Sequence, residues 1–248
     1  MYGEGEFAYL DLANAITEKK DITKIKNLWV KQNNKIYKND LRPLIENLDD
    51  LPFADFDLFD DKSFYRPYHG QIARGVDYEL TRGCINQCYY CVGPRLRKLY
   101  NDKNFRREKS IERIIKEIAY LKEKYKLDII RYQDELFLGM EIPKLKKLAK
   151  EYRQKVDLPF IIETSVNTLN KDTIECLKEM GCLSVSVGIE HGNEKFRETV
   201  LNKFYSNECA INSFNLLRKY NISVHSYAMI GFPDETRELV FDTINLLR

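Results

Sequence analysis

The stretch from Thr81 to Val92, TRGCINQCYYCV, decides how the rest of the chain is interpreted, because it holds three of the six cysteines in the sequence. Cys84, Cys88 and Cys91 have the spacing Cys-x3-Cys-x2-Cys. Structural zinc sites and redox-carrier clusters normally take four protein ligands, whereas three thiolates hold three corners of a 4Fe-4S cube and leave one iron open. The count of three therefore favours a metal centre with one position free for another molecule.

The composition narrows the class of protein without indicating a partner. At 248 residues and 44% hydrophobic content, the chain can bury a substantial core in one large domain or two smaller ones. Its formal net charge of +2 gives no sign of a nucleic-acid or membrane-surface partner. The start, MYGEGEF, shows no basic region followed by an apolar stretch, and no later segment approaches the roughly 18 consecutive apolar residues of a membrane span. We expect a cytoplasmic protein, in which clustered thiols bind metal or act in catalysis more often than they form disulfides.

Two simpler interpretations of the three cysteines stay open on the motif alone. One is a zinc site completed by a distant residue such as His69, and the other is a buried loop cluster of cysteines. A non-catalytic iron-sulfur module would need a fourth fixed ligand, and the sequence has no further cysteine nearby. We expect the remaining cysteines, Cys176, Cys182 and Cys209, to pack as small apolar side chains on or near helices.

From about residue 76 onward, short β-rich runs alternate with amphipathic helical patterns, which is typical of parallel βα units. Helices are predicted after N-caps at Ser110, Asn170 and Ser206, through Leu145 to Tyr152, and from Glu235 to Arg248. Five consecutive units predict a right-handed, barrel-like or open parallel sheet with functional groups at the C-terminal ends of its strands. The predicted strands are Val76 to Leu80, Ile129 to Tyr132, Phe160 to Glu163, Leu183 to Ile189 and Val224 to Ile230.

The first 75 residues follow a different pattern. We predict a short helix from Phe7 to Ile16, then a hairpin formed by Leu28 to Val30 and Lys35 to Tyr37 around Asn33-Asn34. The acidic, proline-containing stretch that follows, LDDLPFADFDLFDD, is typical of a linker. Residues 1–48 are too few to form an independent core without help.

The cysteine motif follows a first β-strand and the pair Arg82-Gly83, and an aromatic residue precedes its last cysteine. In these features it resembles the signature of the radical S-adenosylmethionine (SAM) superfamily. The resemblance implies that Cys84, Cys88 and Cys91 ligate a 4Fe-4S cluster whose open iron chelates the amino and carboxylate groups of SAM. In that family the reduced cluster cleaves SAM to methionine and a 5'-deoxyadenosyl radical. The implied fold class is α/β, a partial (β/α)6 TIM-barrel-like core with a small N-terminal α+β remnant.

Later strand ends are also similar to segments of this family. Residues 133–137, QDELF, resemble its DDxF segment with Glu135 replacing the second Asp, although a solvated acidic turn is the simpler alternative. Residues 188–194, GIEHGNE, are similar to GIESGSE, which makes Glu190 the expected acceptor for the SAM ribose hydroxyls. Residues 229–236, MIGFPDET, resemble MIGLPGET, whose apolar residues flank adenine. The implied SAM contacts are Tyr90, Glu135, Glu190, Ile230 and Gly231, the last allowing close backbone approach.

Two positions depart from the family pattern. The third strand ends in Glu163-Thr164-Ser165, where members of this branch often place polar or basic groups toward SAM, but no arginine is present. His191 stands where Ser is usual. It is either a substrate-facing acid or base, or a capped turn residue, and we favour the second interpretation.

The N-terminal segment carries a second resemblance. Its GEGE at residues 3–6, followed by a helix, a hairpin and an LPFADFD linker, looks like the end of the cobalamin-binding domain in cobalamin-type radical SAM proteins. The Asp-x-His-x-x-Gly motif of that domain is absent, and GEGE alone also fits a Gly-rich turn. We assign residues 1–48 to the C-terminal tail of a cobalamin-binding domain, 49–75 to a linker and 76–248 to the radical SAM core. Because the family core usually has six βα units, we expect a fragment truncated after the fifth.

The resemblance implies an enzyme that cleaves SAM by one-electron reduction and then abstracts hydrogen from an unactivated carbon. If the intact protein carries cobalamin, methyl transfer is favoured, although other members perform cyclisations and rearrangements. Such an enzyme needs a low-potential electron donor, such as flavodoxin or ferredoxin. The substrate and the catalytic residues stay unknown, because substrates are contacted by barrel residues and C-terminal segments that differ between members.

Overall fold

Helices and strands alternate along most of the chain, and the computed structural model describes residues 1–68 and 70–248. His69, named above as a zinc ligand, lies outside the described residues. The strands are β1 (Trp29–Gln32), β2 (Lys35–Lys38), β3 (Tyr65–Tyr68), β4 (Gln71–Tyr78), β5 (Thr81–Arg82), β6 (Arg107–Glu108), β7 (Ile129–Tyr132), β8 (Phe160–Thr164), β9 (Cys182–Glu190) and β10 (Ser223–Ala228). The α-helices are α1 (Glu6–Thr17), α2 (Val92–Tyr100), α3 (Ile111–Tyr125), α4 (Ile142–Lys155), α5 (Lys171–Met180), α6 (Glu194–Leu201), α7 (Asn207–Lys219) and α8 (Arg237–Leu247).

The main sheet is a curled half-barrel with the strand order β10-β9-β8-β7-β4-β3. Strands β4, β7, β8, β9 and β10 pair in parallel, and β3 joins the edge as an antiparallel neighbour of β4. Because parallel neighbours need crossover connections, helices α3, α4, α5 and α7 lie between successive strands of the sheet. This arrangement confirms the predicted partial (β/α)6 core.

The two faces of the sheet differ in chemistry because side chains alternate along each strand. Tyr132, Ile162 and Val187 point to the outer face, where they are buried in the hydrophobic core that the helices cover. The alternate positions form the concave inner face, which is polar: the Arg131 guanidinium, for example, lies 3.0 Å from the Glu163 carboxylate. The fold therefore presents a polar, accessible surface along the inside of the half-barrel.

Local sequence signals set the predicted helix starts. The side chains of Ser110, Asn170 and Ser206 accept hydrogen bonds from the backbone N–H groups of the first turns of α3, α5 and α7. Each such cap is worth about 1 kcal/mol relative to alanine, which makes the helix start definite. The predicted hairpin is also present, and both Asn33 and Asn34 have positive φ angles, as a tight turn between β1 and β2 requires.

The first strand of the parallel sheet differs from the prediction of Val76 to Leu80. It begins at Gln71, because its first half pairs with β3 and only its second half pairs with β7. It ends at Tyr78, because the N–H groups of Leu80 and Thr81 donate to a carboxylate and leave the ladder. The assumed boundary at residue 76 therefore falls inside β4, and the segment assigned as a linker contains β3.

Four further elements were predicted with a wrong start or not at all. The last helix begins at Arg237, with Thr236 as its N-cap, and not at Glu235, whose side chain is used in the preceding loop. Strand β3 was not predicted; it contains Pro67, which is tolerated there because β3 lies at the edge of the sheet. The short helices α2 and α6 were also missed.

Candidate active site

A cleft of about 290 Å³ opens where the cysteine loop, residues 83–91, meets the C-terminal ends of strands β8 and β9. This is the end of a parallel barrel at which functional groups are expected. One wall carries the thiols, and the other walls carry carboxylates, hydroxyls and one ammonium group. The lining residues are Cys84, Asn86, Cys88, Tyr90, Cys91, Pro94, Glu135, Leu136, Glu163, Thr164, Ser165, Ser186, Gly188, Glu190, Lys203 and Tyr227.

The backbone supports the thiols in the cysteine loop. Gly83 has a φ angle of 91°, and a Cβ there would lie 2.4 Å from the carbonyl oxygen of Phe105, so the loop can begin this way only with glycine. The Cys84 Sγ accepts a hydrogen bond from the N–H of Asn86, and the Cys91 Sγ accepts one from Gly93, both at 3.4 Å. Peptide N–H donors to sulfur are typical of the surroundings of thiolate ligands.

The three thiols are partly exposed, free and unpaired with one another. Burial raises the pKa of Cys84 and Cys88, although the Lys203 ammonium opposes the shift at Cys88. Thiols of this kind stay protonated in the free protein and release their protons when a metal binds. Three partly exposed sulfurs, two of them with backbone donors, therefore fit an iron-sulfur cluster chemically.

A single-metal site receives no support from the geometry. Within residues 1–68 and 70–248, no three or more His, Cys, Asp or Glu side chains are arranged around a point that could hold one metal ion. A cubane cluster places its irons at separate corners, so three thiolate ligands do not need to share one centre.

Asp134, the neighbour of the predicted SAM contact Glu135, fastens the start of the cysteine loop to the end of β7. Its Oδ1 accepts hydrogen bonds from the N–H of Leu80 at 3.0 Å and from the N–H and hydroxyl of Thr81 at 2.6 and 2.7 Å. The side chain is buried, and burial raises its pKa to about 6 against these hydrogen bonds. Asp134 is thus a structural residue that positions the loop.

We expect Asp134 to make stability depend on pH. Its pKa rises from 3.8 to about 6 on folding, so its stabilising contribution is full below pH 3.8 and is lost as the pH rises through 6. The shift corresponds to about 3 kcal/mol. Asp134→Asn keeps an oxygen for the donors but cannot ionise, so its unfolding free energy relative to the wild type should rise by about 2 kcal/mol from pH 4 to pH 7. Urea unfolding of the two metal-free proteins across this pH range measures the difference. Unfolding free energies that change with pH in the same way for both proteins would contradict the prediction.

Glu190, the predicted acceptor for ribose, lies at the centre of a polar network on the cleft wall. Its Oε1 accepts hydrogen bonds from the Tyr90 hydroxyl at 2.9 Å and from the Lys203 ammonium at 3.0 Å. Lys203 also donates to the carbonyl oxygen of Gly188 at 2.6 Å. Burial and the adjacent carboxylate raise the pKa of Tyr90, so the phenol stays protonated and acts as a donor. The network brings two predicted SAM contacts together and fixes the carboxylate.

The other predicted SAM contacts lie in different surroundings. Glu135 is exposed, lines the cleft and accepts a hydrogen bond from the N–H of Gly83 at 3.2 Å. Ile230 and Gly231 lie in the loop after β10 and are not among the residues that line the described cleft. Ile230 is 69% exposed. Gly231 has a φ angle of 89°, and no protein atom within 4 Å would crowd a Cβ there, so its conformation is what favours glycine.

His191 is fully buried and does not line the described cleft. This location agrees with the interpretation of His191 as a turn residue and not as a substrate-facing acid or base. The other cysteines also follow the expectation, because Cys176 and Cys182 are buried in the core and Cys209 packs partly buried against it.

Lys203 was not predicted from the sequence. It is the only cationic side chain among the described residues of the cleft, and it is nearly buried. It lies past α6, a helix that was not predicted, so no strand end pointed to it. Its signal was its place 13 positions after Glu190, one short helix away.

The glutamates of the N-terminal GEGE segment form ion pairs with Arg82, which directly precedes the cysteine loop, and with Arg107 in β6. Arg107 lies 2.9 Å from the Glu4 carboxylate. The Arg82 guanidinium pairs with three carboxylates, those of Glu4 at 3.3 Å, Glu6 at 2.5 Å and Glu79 at 2.5 Å. The segment that resembles the end of a cobalamin-binding domain thus touches the residue that precedes Gly83.

No helix in the described part of the chain is long and apolar enough to cross a membrane.

Both the sequence and the fold of this chain are similar to those of known proteins. An uncharacterized methyltransferase of Pyrococcus horikoshii is 28% identical, and the match covers 99% of this chain and 51% of that protein. The structure is similar to TsrM of Kitasatospora setae, a radical SAM methyltransferase with cobalamin and a 4Fe-4S cluster bound, at a TM-score of 0.75 and 18% identity over 99% of this chain and 49% of that one.

The cobalamin-dependent SAM radical enzyme OxsB, with aqua-cobalamin and SAM bound, has a TM-score of 0.75 at 15% identity over 98% of this chain and 35% of that one. This chain spans about half the length, or less, of these proteins. The family described as the radical SAM superfamily matches residues 78–247, well over half of the chain. The protein therefore belongs to the radical SAM superfamily, whose members use a 4Fe-4S cluster and SAM.

Proposed function

We propose that this chain is the SAM-cleaving part of a cobalamin-dependent radical SAM methyltransferase. The observation that carries the proposal is the loop of three partly exposed thiols at the mouth of a polar cleft, without a fourth cysteine beside them. Cys84, Cys88 and Cys91 would hold the 4Fe-4S cluster. When bound and reduced, that cluster supplies the electron for cleavage of SAM to methionine and a 5'-deoxyadenosyl radical.

The cleft walls suggest how the chain holds SAM. Glu190, fixed by Tyr90 and Lys203, offers a carboxylate to the ribose hydroxyls. Glu135 also lines the cleft, and its hydrogen bond from Gly83 connects it to the cysteine loop. Ile230 and Gly231 would meet the adenine from the exposed loop after β10, so this part of the site lies at its rim. The roles of these side chains are to bind, to orient and to exclude water.

Cobalamin and methyl transfer belong to the longer protein in this proposal. Residues 1–48 would be the C-terminal tail of a cobalamin-binding domain and residues 49–75 a linker, with the core beginning near residue 76. The likeness to TsrM and OxsB, which extends over nearly all of this chain, supports that assignment. We further propose a cytoplasmic location and a low-potential donor such as flavodoxin or ferredoxin.

The proposal predicts products that can be measured. After anaerobic reconstitution with iron and sulfide and reduction with dithionite, the chain should convert SAM to methionine and 5'-deoxyadenosine in equal amounts. Liquid chromatography with mass spectrometry measures both products. Glu190→Gln should lower the rate at subsaturating SAM, because the amide keeps the shape of the side chain and loses the charge. A chain that binds the cluster and SAM without forming either product would contradict cleavage.

A further inference from the structure

His191 has both ring nitrogens engaged in a buried site. Its Nδ1 accepts a hydrogen bond from the N–H of Asn193 at 3.0 Å, so the proton of the neutral ring lies on Nε2. Nε2 then donates to the Glu235 Oε1 at 3.0 Å. The ring stacks on Phe196 with a centroid distance of 4.2 Å, and its side chain has no exposed surface. A histidine held in this way cannot reach a substrate in the cleft.

Glu235 connects this histidine to the loop of residues 229–236. Its Oε2 accepts hydrogen bonds from the N–H of Gly231 at 2.5 Å and of Phe232 at 3.1 Å. Its side chain is only 2% exposed. One carboxylate oxygen thus binds the loop backbone and the other binds the histidine that follows β9.

Few other interactions hold this loop in place. It follows the edge strand β10, whose last four residues are exposed, and Ile230 itself is 69% exposed. The backbone adds one link, from the N–H of Met229 to the carbonyl oxygen of Glu190 at 2.7 Å. On the other side, the buried Arg197 guanidinium donates to the carbonyl oxygen of His191 at 2.6 Å and fixes that turn. The loop also makes an apolar contact through its Phe232 ring, which packs against Phe196 and His191 at centroid distances of 5.5 and 6.3 Å. The polar contacts and this aromatic contact together set the position of the loop.

We propose that His191 and Glu235 form a lock that fixes the loop of residues 229–236 against the end of β9. Both are positioning residues, which act on SAM through Ile230 and Gly231 and do not transfer protons. This inference rests on the proposed function for its link to SAM, whereas the lock itself concerns the protein alone. The fixed loop would present a preformed edge to the adenine, so that binding needs no further ordering.

Backbone hydrogen exchange of the full chain tests the lock without any cofactor. Glu235→Gln has one acceptor oxygen, so it cannot bind both the histidine and the loop amides. His191→Phe keeps the stacking on Phe196 and removes the hydrogen bond to Glu235. In both variants we expect peptides that cover residues 229–236 to exchange about tenfold faster, as for the loss of one hydrogen bond to a charged group.

Asp234→Asn is the matched control, because it removes a charge one position away from Glu235 on an exposed side chain. The backbone φ angle of 61° at this position is also one that asparagine adopts readily. It should exchange like the wild type. Circular dichroism verifies that each variant is folded. Wild-type exchange in both Glu235→Gln and His191→Phe would overturn the lock.

SAM affinity then tests the positioning role separately. In reconstituted protein, both lock variants should bind SAM about tenfold more weakly than the wild type and Asp234→Asn, with little change in the cleavage rate at saturation. Faster exchange with unchanged SAM affinity would refute the positioning role. Wild-type protein that fails to bind SAM would count against the proposed function, and the exchange data alone would then decide whether the lock exists.

Discussion

We expect Cys88→Ala to abolish assembly of the 4Fe-4S cluster while leaving the helical far-UV circular dichroism signal unchanged. Two remaining thiolates would leave two irons without protein ligands, and an alanine cannot replace the lost bond. The fold should survive, because the hydrophobic core is built from the outer face of the sheet and its helices and does not include Cys88. Iron and sulfide per chain after anaerobic reconstitution measure the first effect, and circular dichroism measures the second.

Cys209→Ala is the control for this prediction, since Cys209 is also a partly exposed cysteine but lies on α7, away from the cysteine loop. It should assemble the cluster like the wild type. A Cys88→Ala protein that still holds a full cluster would refute the ligand assignment. A variant that loses its helical signal would instead show that Cys88 is needed for folding.

The second large effect is expected for Lys203→Met, which should weaken SAM binding about a hundredfold. Lys203 and Glu190 are both nearly buried, and their charges lie 3.0 Å apart. Removing one partner of such a pair costs about 3 kcal/mol or more, because the other charge stays buried without compensation. Glu190 would then turn toward solvent, which removes the fixed carboxylate from the cleft wall.

Equilibrium binding of SAM to reconstituted protein measures this effect. The control is Lys195→Met, because Lys195 is an exposed lysine on α6, only eight positions away, and its loss removes the same charge from the molecule. The control should bind SAM like the wild type. Equal affinities for the two variants would show that Lys203 acts only through net charge or not at all.

Much of the fold was predictable, because hydrophobic periodicity and the succession of strands and helices follow directly from the sequence. The runs ending near Tyr132, Glu163, Ile189 and Ile230 identified the four later strands of the sheet in the correct order, and side-chain caps marked the helix starts. The strands are predictable because the outer face of the sheet needs buried apolar residues at every second position. The start of β4 was not predictable in this way, because antiparallel pairing with β3 extends this strand toward its N-terminus.

The site was only partly predictable, because spacing shows which residues follow a strand but not which side chains converge. The cysteine spacing predicts the loop that we propose to hold the cluster, and the resemblance to family segments predicts Glu190 as a SAM contact. In contrast, Asp134, Lys203 and Glu235 each form at least one hydrogen bond that spans 13 to 54 positions. These partners become neighbours only in the folded sheet, so strand and helix periodicity does not predict the contacts.

The most direct test of the central claim is a low-temperature electron paramagnetic resonance spectrum of the anaerobically reconstituted, dithionite-reduced chain, recorded with and without SAM. We predict a reduced 4Fe-4S signal that changes when SAM is added, because three cysteines leave one iron open to it. A signal that is indifferent to SAM, or zinc in place of iron, would contradict the account.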